Sequence, residues 1–141
     1  MIKSFRGKLA DDTVRRIRLS THNGLIGYKI NKFQVMPTDD AAIEASVQVY
    51  SIEPGTVTNL ITFEDPTLLG AIYFSMSNNS GPYPEDQTVV FDNTIINQDI
   101  YVTLKCHSDS AELNYYIELE QVKLDLNEAT VATLKDMRGR E

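Results

Sequence analysis

Between Tyr115 and Lys123 apolar and polar side chains alternate with a period of two: Tyr115, Ile117 and Leu119 fall on one side, Tyr116, Glu118 and Glu120 on the other. Successive side chains of an extended chain point to opposite faces, so this run buries one face and wets the other only as a strand. At least six short segments of this kind recur along the 141 residues, separated by Gly, Pro, Asn and Asp. Short strands spaced by turns restrict the chain to sheet architectures.

The first segment places Lys3, Phe5, Gly7 and Leu9 on one face, and after Asp11-Asp12 the run Thr13 to Leu19 turns Ile17 and Leu19 inward and Arg16 and Arg18 outward. His22-Asn23-Gly24 then predicts a tight hairpin, because Asn-Gly suits positive φ angles. Tyr28 and Ile30 stand on the opposite parity from Phe33 and Val35, so a bulge near Asn31-Lys32 is needed to keep all four inside. Pro37 ends that strand. Glu44 to Ile52 sets Val47 and Val49 against Gln48 and Tyr50, Glu53-Pro54-Gly55 turns, and Thr56 to Phe63 is expected to form a further strand.

Asp65-Pro66 before Leu68-Leu69-Gly70-Ala71 fits either a short helix capped by Asp65 or a buried strand. The polar loop Ser77 to Pro84 is expected to face solvent or a partner. Strands are expected at Thr88 to Phe91 and Ile100 to Lys105, joined by the Asn- and Asp-rich stretch Asp92 to Asp99. The tail from Asn127 to Arg138 reads as a helix, with Val131 and Leu134 three apart and basic residues at its end.

These elements predict a mainly β fold: an antiparallel β-sandwich, jelly-roll or immunoglobulin-like, with a short C-terminal helix. Residues 1–141 are read as one domain, in which 1–12 is an interface arm or strand and 127–141 a helix or tail. A single cysteine, Cys106, cannot form an internal disulfide, so packing and backbone hydrogen bonds must hold the fold, as expected for folding in a reducing cytoplasm. Charges interrupt every apolar pair at the N-terminus, so no export signal is expected there. The longest apolar stretches, such as Leu68 to Phe74, fall far short of a membrane-spanning helix, and no membrane partner is expected.

Charge is distributed unevenly. Residues 1–36 hold eight of the thirteen Lys and Arg (Lys3, Arg6, Lys8, Arg15, Arg16, Arg18, Lys29, Lys32) against two aspartates, and Phe33 to Leu104 holds ten carboxylates and no cation. Such a dipolar chain favours complementary contacts, within the fold or between copies. The net charge of -7 argues against nucleic acid as a partner, although Arg15, Arg16 and Arg18 could touch phosphates.

No catalytic motif emerges, and an enzyme is not expected. Cys106 and His107 are adjacent, but on a strand they point to opposite faces and cannot act as nucleophile and base. Two histidines and one cysteine cannot supply the usual four-ligand zinc site, and the carboxylate loops lack calcium-loop spacing. Glu118 and Glu120 share a strand face as an acid and base pair would, yet they belong to a regular solvent-facing alternation, where pairing with Arg16 and Arg18 across a sheet or an interface would also use them. Gly-rich phosphate loops and nucleophile elbows are absent from the sequence, so no cofactor is expected. Among seven tyrosines, Tyr83 in the polar loop and outward-phased Tyr116 are the best interface candidates. With them the expected interface comprises Arg6, Lys8, Arg15, Arg16, Arg18, Glu118 and Glu120.

Ile2-Lys-Ser-Phe-Arg-Gly-Lys-Leu9, Ile17-Arg-Leu-Ser-Thr21 with Gly27-Tyr-Lys-Ile30, Phe91-Asp-Asn-Thr94 with Asn97-Gln-Asp-Ile-Tyr-Val-Thr103, and Asn114-Tyr-Tyr-Ile-Glu-Leu-Glu120 together resemble small uncharacterised proteins of marine tailed bacteriophages, including phages of cyanobacteria and other abundant ocean bacteria. Those proteins are candidate virion components, and the likeness runs to Ala132-Thr-Leu-Lys-Asp136. The motifs are strand and turn signatures, so no functional residue carries over. The resemblance implies a virion protein folded in the host cytoplasm, foremost a capsid decoration or cementing protein. It implies a homo-oligomer, with a trimer as the expected geometry, bound to the major capsid protein or other virion proteins. The alternatives are a tail, connector or fibre-associated subunit, and a receptor- or glycan-binding sandwich using Tyr83, Asn78, Asn79 and Asp86.

Overall fold

A computed structural model describes residues 1–19, 24–39, 42–76, 86–107 and 110–139, without the side chains of 86, 87, 126 and 135–139. Eight strands precede one helix: β1 (Ile2–Ala10), β2 (Thr13–Ile17), β3 (Ile26–Pro37), β4 (Ile43–Tyr50), β5 (Leu68–Met76), β6 (Asp86–Phe91), β7 (Ile100–Cys106), β8 (Glu112–Lys123) and α1 (Leu126–Gly139). They form two antiparallel sheets, β1-β8-β3 and β2-β7-β4-β5-β6. The core lies between them, where Leu9, Phe33, Ile117 and Leu119 of the first sheet meet Val47, Ile72, Val102 and Leu104 of the second.

The connectivity selects between the two expected sandwiches. β1 pairs with β8, β2 with β7 and β4 with β5, as the arms of one long hairpin would, and winding that hairpin brings β3 beside β8 and β4 beside β7. This is jelly-roll winding; in an immunoglobulin-like sandwich the first strand does not pair with the last. One arm departs from it. β6 lies on the edge of the five-stranded sheet against β5, and the bridge between Tyr28 and Ile96 ties the following segment to β3, through two hydrogen bonds of 2.7 Å.

The bulge falls where parity requires it. Pairing of β3 with β8 shifts register between Ile30 and Lys32, Asn31 and Lys32 are exposed, and Tyr28, Ile30, Phe33 and Val35 are all buried. Asp11 and Asp12 carry the chain from one sheet to the other: Asp12 adopts a φ of 62° and donates its amide to Leu104 O at 2.8 Å, while Asp11 Oδ1 accepts from the Cys106 amide at 2.7 Å.

Three expectations need correction. No hairpin joins the strands around residue 24, since β2 pairs with β7 and β3 with β8; Gly24 does take a positive φ of 68°, but at a crossing between sheets. Thr56 to Phe63 is not a strand. The consecutive carbonyls of Thr58, Asn59 and Leu60 all turn to side chains of β4, whereas the carbonyls of an extended strand alternate in direction: Gln48 Nε2 donates to Thr58 O (3.1 Å) and Leu60 O (3.2 Å), and Ser46 Oγ to Asn59 O (2.9 Å).

For the same reason β4 is not half-buried. The segment over its outer face leaves Ser46 0% and Gln48 1% exposed. Replacing Gln48 by Ala removes both anchors and is expected to lower stability by about 1–2 kcal/mol. Limited proteolysis should then cut first between Thr56 and Phe63; a cleavage pattern like that of the parent would contradict this role.

The expected terminal helix forms as α1; it packs through Ala129 and Ala132 against Leu124, Leu25 and Val122, leaving Val131 and Leu134 exposed. Buried Asn97 positions it by donating from Nδ2 to Thr133 Oγ1 (2.9 Å), Ala129 O (3.3 Å) and Gly24 O (3.3 Å). Of the two readings offered for the region after Asp65, the strand is realised as β5, with Asp65 Oδ1 accepting from the amide and hydroxyl of Thr67 in a turn just before it.

Candidate interaction surface

The register of the three-stranded sheet decides which charged residues meet. Arg6 stands opposite Tyr116 and Tyr116 opposite Gln34; Lys8 stands opposite Asn114 and Asn114 opposite Met36. These two rows point outward. The row between them, Gly7, Tyr115 and Val35, turns its side chains inward, so backbone floors a groove of about 700 Å³ that also reaches Lys32. Gly7 is matched to this place, because a Cβ there would stand 3.0 Å from Cε1 of Tyr115. Burial raises the Tyr115 hydroxyl pKa.

Of the nine expected interface residues, five share this sheet: Arg6, Lys8, Tyr116, Glu118 and Glu120. Lys8 pairs with Glu112 (3.0 Å) and Glu120 with Lys29 (3.1 Å), and Tyr116 OH donates to Glu118 Oε1 (3.2 Å). The hydrogen bond and charge of Lys29 hold the Glu120 pKa below its ordinary value. Arg6 and Lys32 form no ion pair among the described residues.

Arg15, Arg16 and Arg18 do not line the groove; they stand on or just after β2 at the edge of the other sheet. Arg15 donates to Lys8 O (3.2 Å). Arg16 pairs with Asp99, its Nε donating to Oδ2 at 2.7 Å, and the hydrogen bond and charge of Asp99 raise the guanidinium pKa. Within the chain, then, Glu118 and Glu120 do not meet Arg16 and Arg18: adjacency in the sheet gives Glu120 to Lys29, and the crossing after β2 gives Arg16 to Asp99. Of the four Lys and Arg ion pairs among the described residues, three join a cation of residues 1–36 to a carboxylate of the remainder, so the charge asymmetry is used in part inside the fold. Tyr83, Asn78 and Asn79 lie outside the described residues, as does the side chain of Asp86.

One cluster escaped the sequence reading because its members are 61 residues apart. Ser46 Oγ lies 3.0 Å from His107 Nε2, His107 Nδ1 lies 3.8 Å from Glu44 Oε1, and Tyr73 OH donates to the same oxygen at 2.8 Å. The order Ser-His-Glu suggests an activated nucleophile, but the proton accounting opposes it. The Ser46 hydroxyl donates to Asn59 O, so the imidazole must donate to Ser46 rather than take its proton, and Ser46 has no exposed surface. The cluster clamps the 57–62 segment. Cys106 faces the core and His107 the opposite side, as strand alternation requires. No group of three or more potential metal ligands occurs among the described residues.

Fold and surface together define a jelly-roll β-sandwich with a cationic, tyrosine-bearing groove across its smaller sheet. Comparison of the chain with models of known protein families and with curated proteins returns no match.

Proposed function

We propose that this chain is a structural subunit of a tailed-bacteriophage particle, and that it decorates and stabilises the head. The sequence resemblance supplies the class. The observation that carries the docking role is the outward face of β1-β8-β3, where Arg6 and Lys32 present positive charge beside Tyr116 in one groove. Arg and Tyr are both enriched at protein interfaces, and neither Arg6 nor Lys32 has an ion-pair partner among the described residues. Its counterpart is an acidic patch of the shell protein.

Locating the protein in intact particles by single-particle imaging tests this. Many copies over the icosahedral shell, with the groove toward the shell, are expected. A few copies at the unique vertex would make it a tail or connector subunit, and absence from particles would end the structural reading.

A second reading, a glycan-binding sandwich, is favoured by one observation: Tyr116 has Gln34 across from it on β3 and Asn114 two residues before it on the same outward face, an aromatic surface beside polar amides that suits a sugar ring. Saturable glycan binding by the isolated protein, lost in Tyr116→Ala, would support it over decoration.

A further inference from the structure

Four strands lie at sheet edges, β1 and β3 in one sheet and β2 and β6 in the other; β3 is bridged at Tyr28 to Ile96, and the edges of β1 and β6, which have no further strand partner among the described residues, differ in chemistry. β1 pairs only with β8, and β6 only with β5. In β1 the amides and carbonyls of odd-numbered residues face β8, since Gln121 N donates to Met1 O at 2.8 Å; those of Ile2, Ser4, Arg6 and Lys8 therefore face outward. Arg15 occupies the Lys8 carbonyl. In β6 the Asp92 amide donates to Leu69 O at 2.8 Å, so even-numbered residues face β5 and the backbone of Gln87, Val89 and Phe91 faces outward.

β1 carries Lys3, Arg6 and Lys8 and no carboxylate; β6 begins with Asp86, is followed by Asp92 and carries no cation. Val89, Val90 and Phe91 are exposed large apolar side chains on an edge strand without Pro or Lys, the devices that normally block pairing. Pairing β1 with a second β1, or β6 with a second β6, would set like charges together.

We propose that β1 of one copy pairs with β6 of a second copy, in antiparallel register with Ile2 opposite Phe91, Ser4 opposite Val89 and Arg6 opposite Gln87. This register joins three outward backbone positions on each strand, covers Phe91 with Ile2, and brings the cations of β1 to the acidic strand. β1 lies beside β2 on one side of the sandwich and β6 beside β3 on the other. The contact is therefore head to tail. Repetition closes a ring or extends a filament, according to the rotation between copies. The inference goes beyond the particle role and does not depend on it: absence from particles would leave it intact, and its failure would leave decoration standing.

Disulfide trapping with the full chain tests it. Ser4→Cys and Val89→Cys are prepared separately, then oxidised alone and as an equal mixture. Hydrogen-bonded partners in an antiparallel ladder have Cα atoms about 5.5 Å apart, within disulfide reach, and native Cys106 is buried. Covalent dimers containing one of each variant are expected, with little product from either alone. Homodimers of either variant as the main product, or no mixed dimer, would overturn the proposal.

Sedimentation of the unmodified chain gives a second measurement, with growth beyond monomer expected as concentration rises. Val89→Lys places a cation against β1 at an exposed position and is expected to weaken association at least about tenfold, with an unchanged circular dichroism spectrum. A monomer at every concentration, or undiminished association of a folded Val89→Lys protein, would also overturn it.

Discussion

Deletion of Gln34 is expected to cost roughly 1.5–3 kcal/mol, whereas deletion of Asn31, three residues earlier in the same strand, should be tolerated. Pairing of β3 with β8 shifts register between Ile30 and Lys32, so Asn31 is the extra residue of the bulge. Its removal places Tyr28, Ile30, Phe33 and Val35 on one parity, with Ile30 still opposite Leu119 and Phe33 still opposite Ile117. Removal of exposed Gln34 instead makes Phe33 and Val35 adjacent, and successive side chains of a strand face opposite sides, so one of them must leave the core. A loss of that size is a large fraction of the stability of many domains. Urea unfolding followed by circular dichroism measures both variants; an Asn31 deletion as damaging as that of Gln34 would show that the bulge itself is required.

Asp99→Ala is expected to be the most damaging single polar substitution among the described residues, at about 2–3 kcal/mol. Asp99 is 7% exposed, and its two oxygens have different tasks: Oδ1 accepts from the Leu19 amide at 2.9 Å and Oδ2 receives Arg16. Leu19 is buried where the chain leaves β2, so alanine strands its amide N–H without the carboxylate. Most of the loss comes from there, because the half-exposed Arg16 side chain can return to water. Asp99→Asn keeps an acceptor for Leu19 and should lose less. Equal losses for Asn and Ala, measured by thermal unfolding, would assign the whole effect to charge instead. This pair also changes the meaning of charge reversal at Arg15, Arg16 and Arg18: at Arg16 it would disturb the fold as well as an interface, so Arg6 and Lys32 are the cleaner probes of docking.

Much of the outward face of β1-β8-β3 could be read from alternation alone. Tyr116, Glu118 and Glu120 face outward because their neighbours Tyr115, Ile117 and Leu119 are apolar, and Arg6 and Lys8 take the outward parity opposite Phe5, Gly7 and Leu9. Period-two patterning says which face a side chain occupies, but not which strand lies beside it. For that reason alternation allows Glu120 to pair with Arg16 or Arg18, whereas β3 places Lys29 across from Glu120 and the crossing after β2 brings Asp99 to Arg16. Neither Lys32 nor Gln34 was singled out, since the groove exists only once β3 and β1 flank β8.

The sequence by itself determined the strands with strict alternation, the bulge at Asn31-Lys32, the terminal helix and the sandwich class, because each follows from local periodicity or from the geometry of one residue. Tertiary structure alone decided the order of the strands, the jelly-roll winding and the fate of 57–62. That segment has the composition of a strand, yet its carbonyls find Ser46 and Gln48 rather than a neighbouring backbone. Tertiary structure likewise decided that Val131 and Leu134 stay exposed while Ala129 and Ala132 pack, because small side chains let the helix approach Leu25 and Leu124. Local pattern records how a segment divides its two faces; which partner covers each face depends on contacts between residues far apart in the chain.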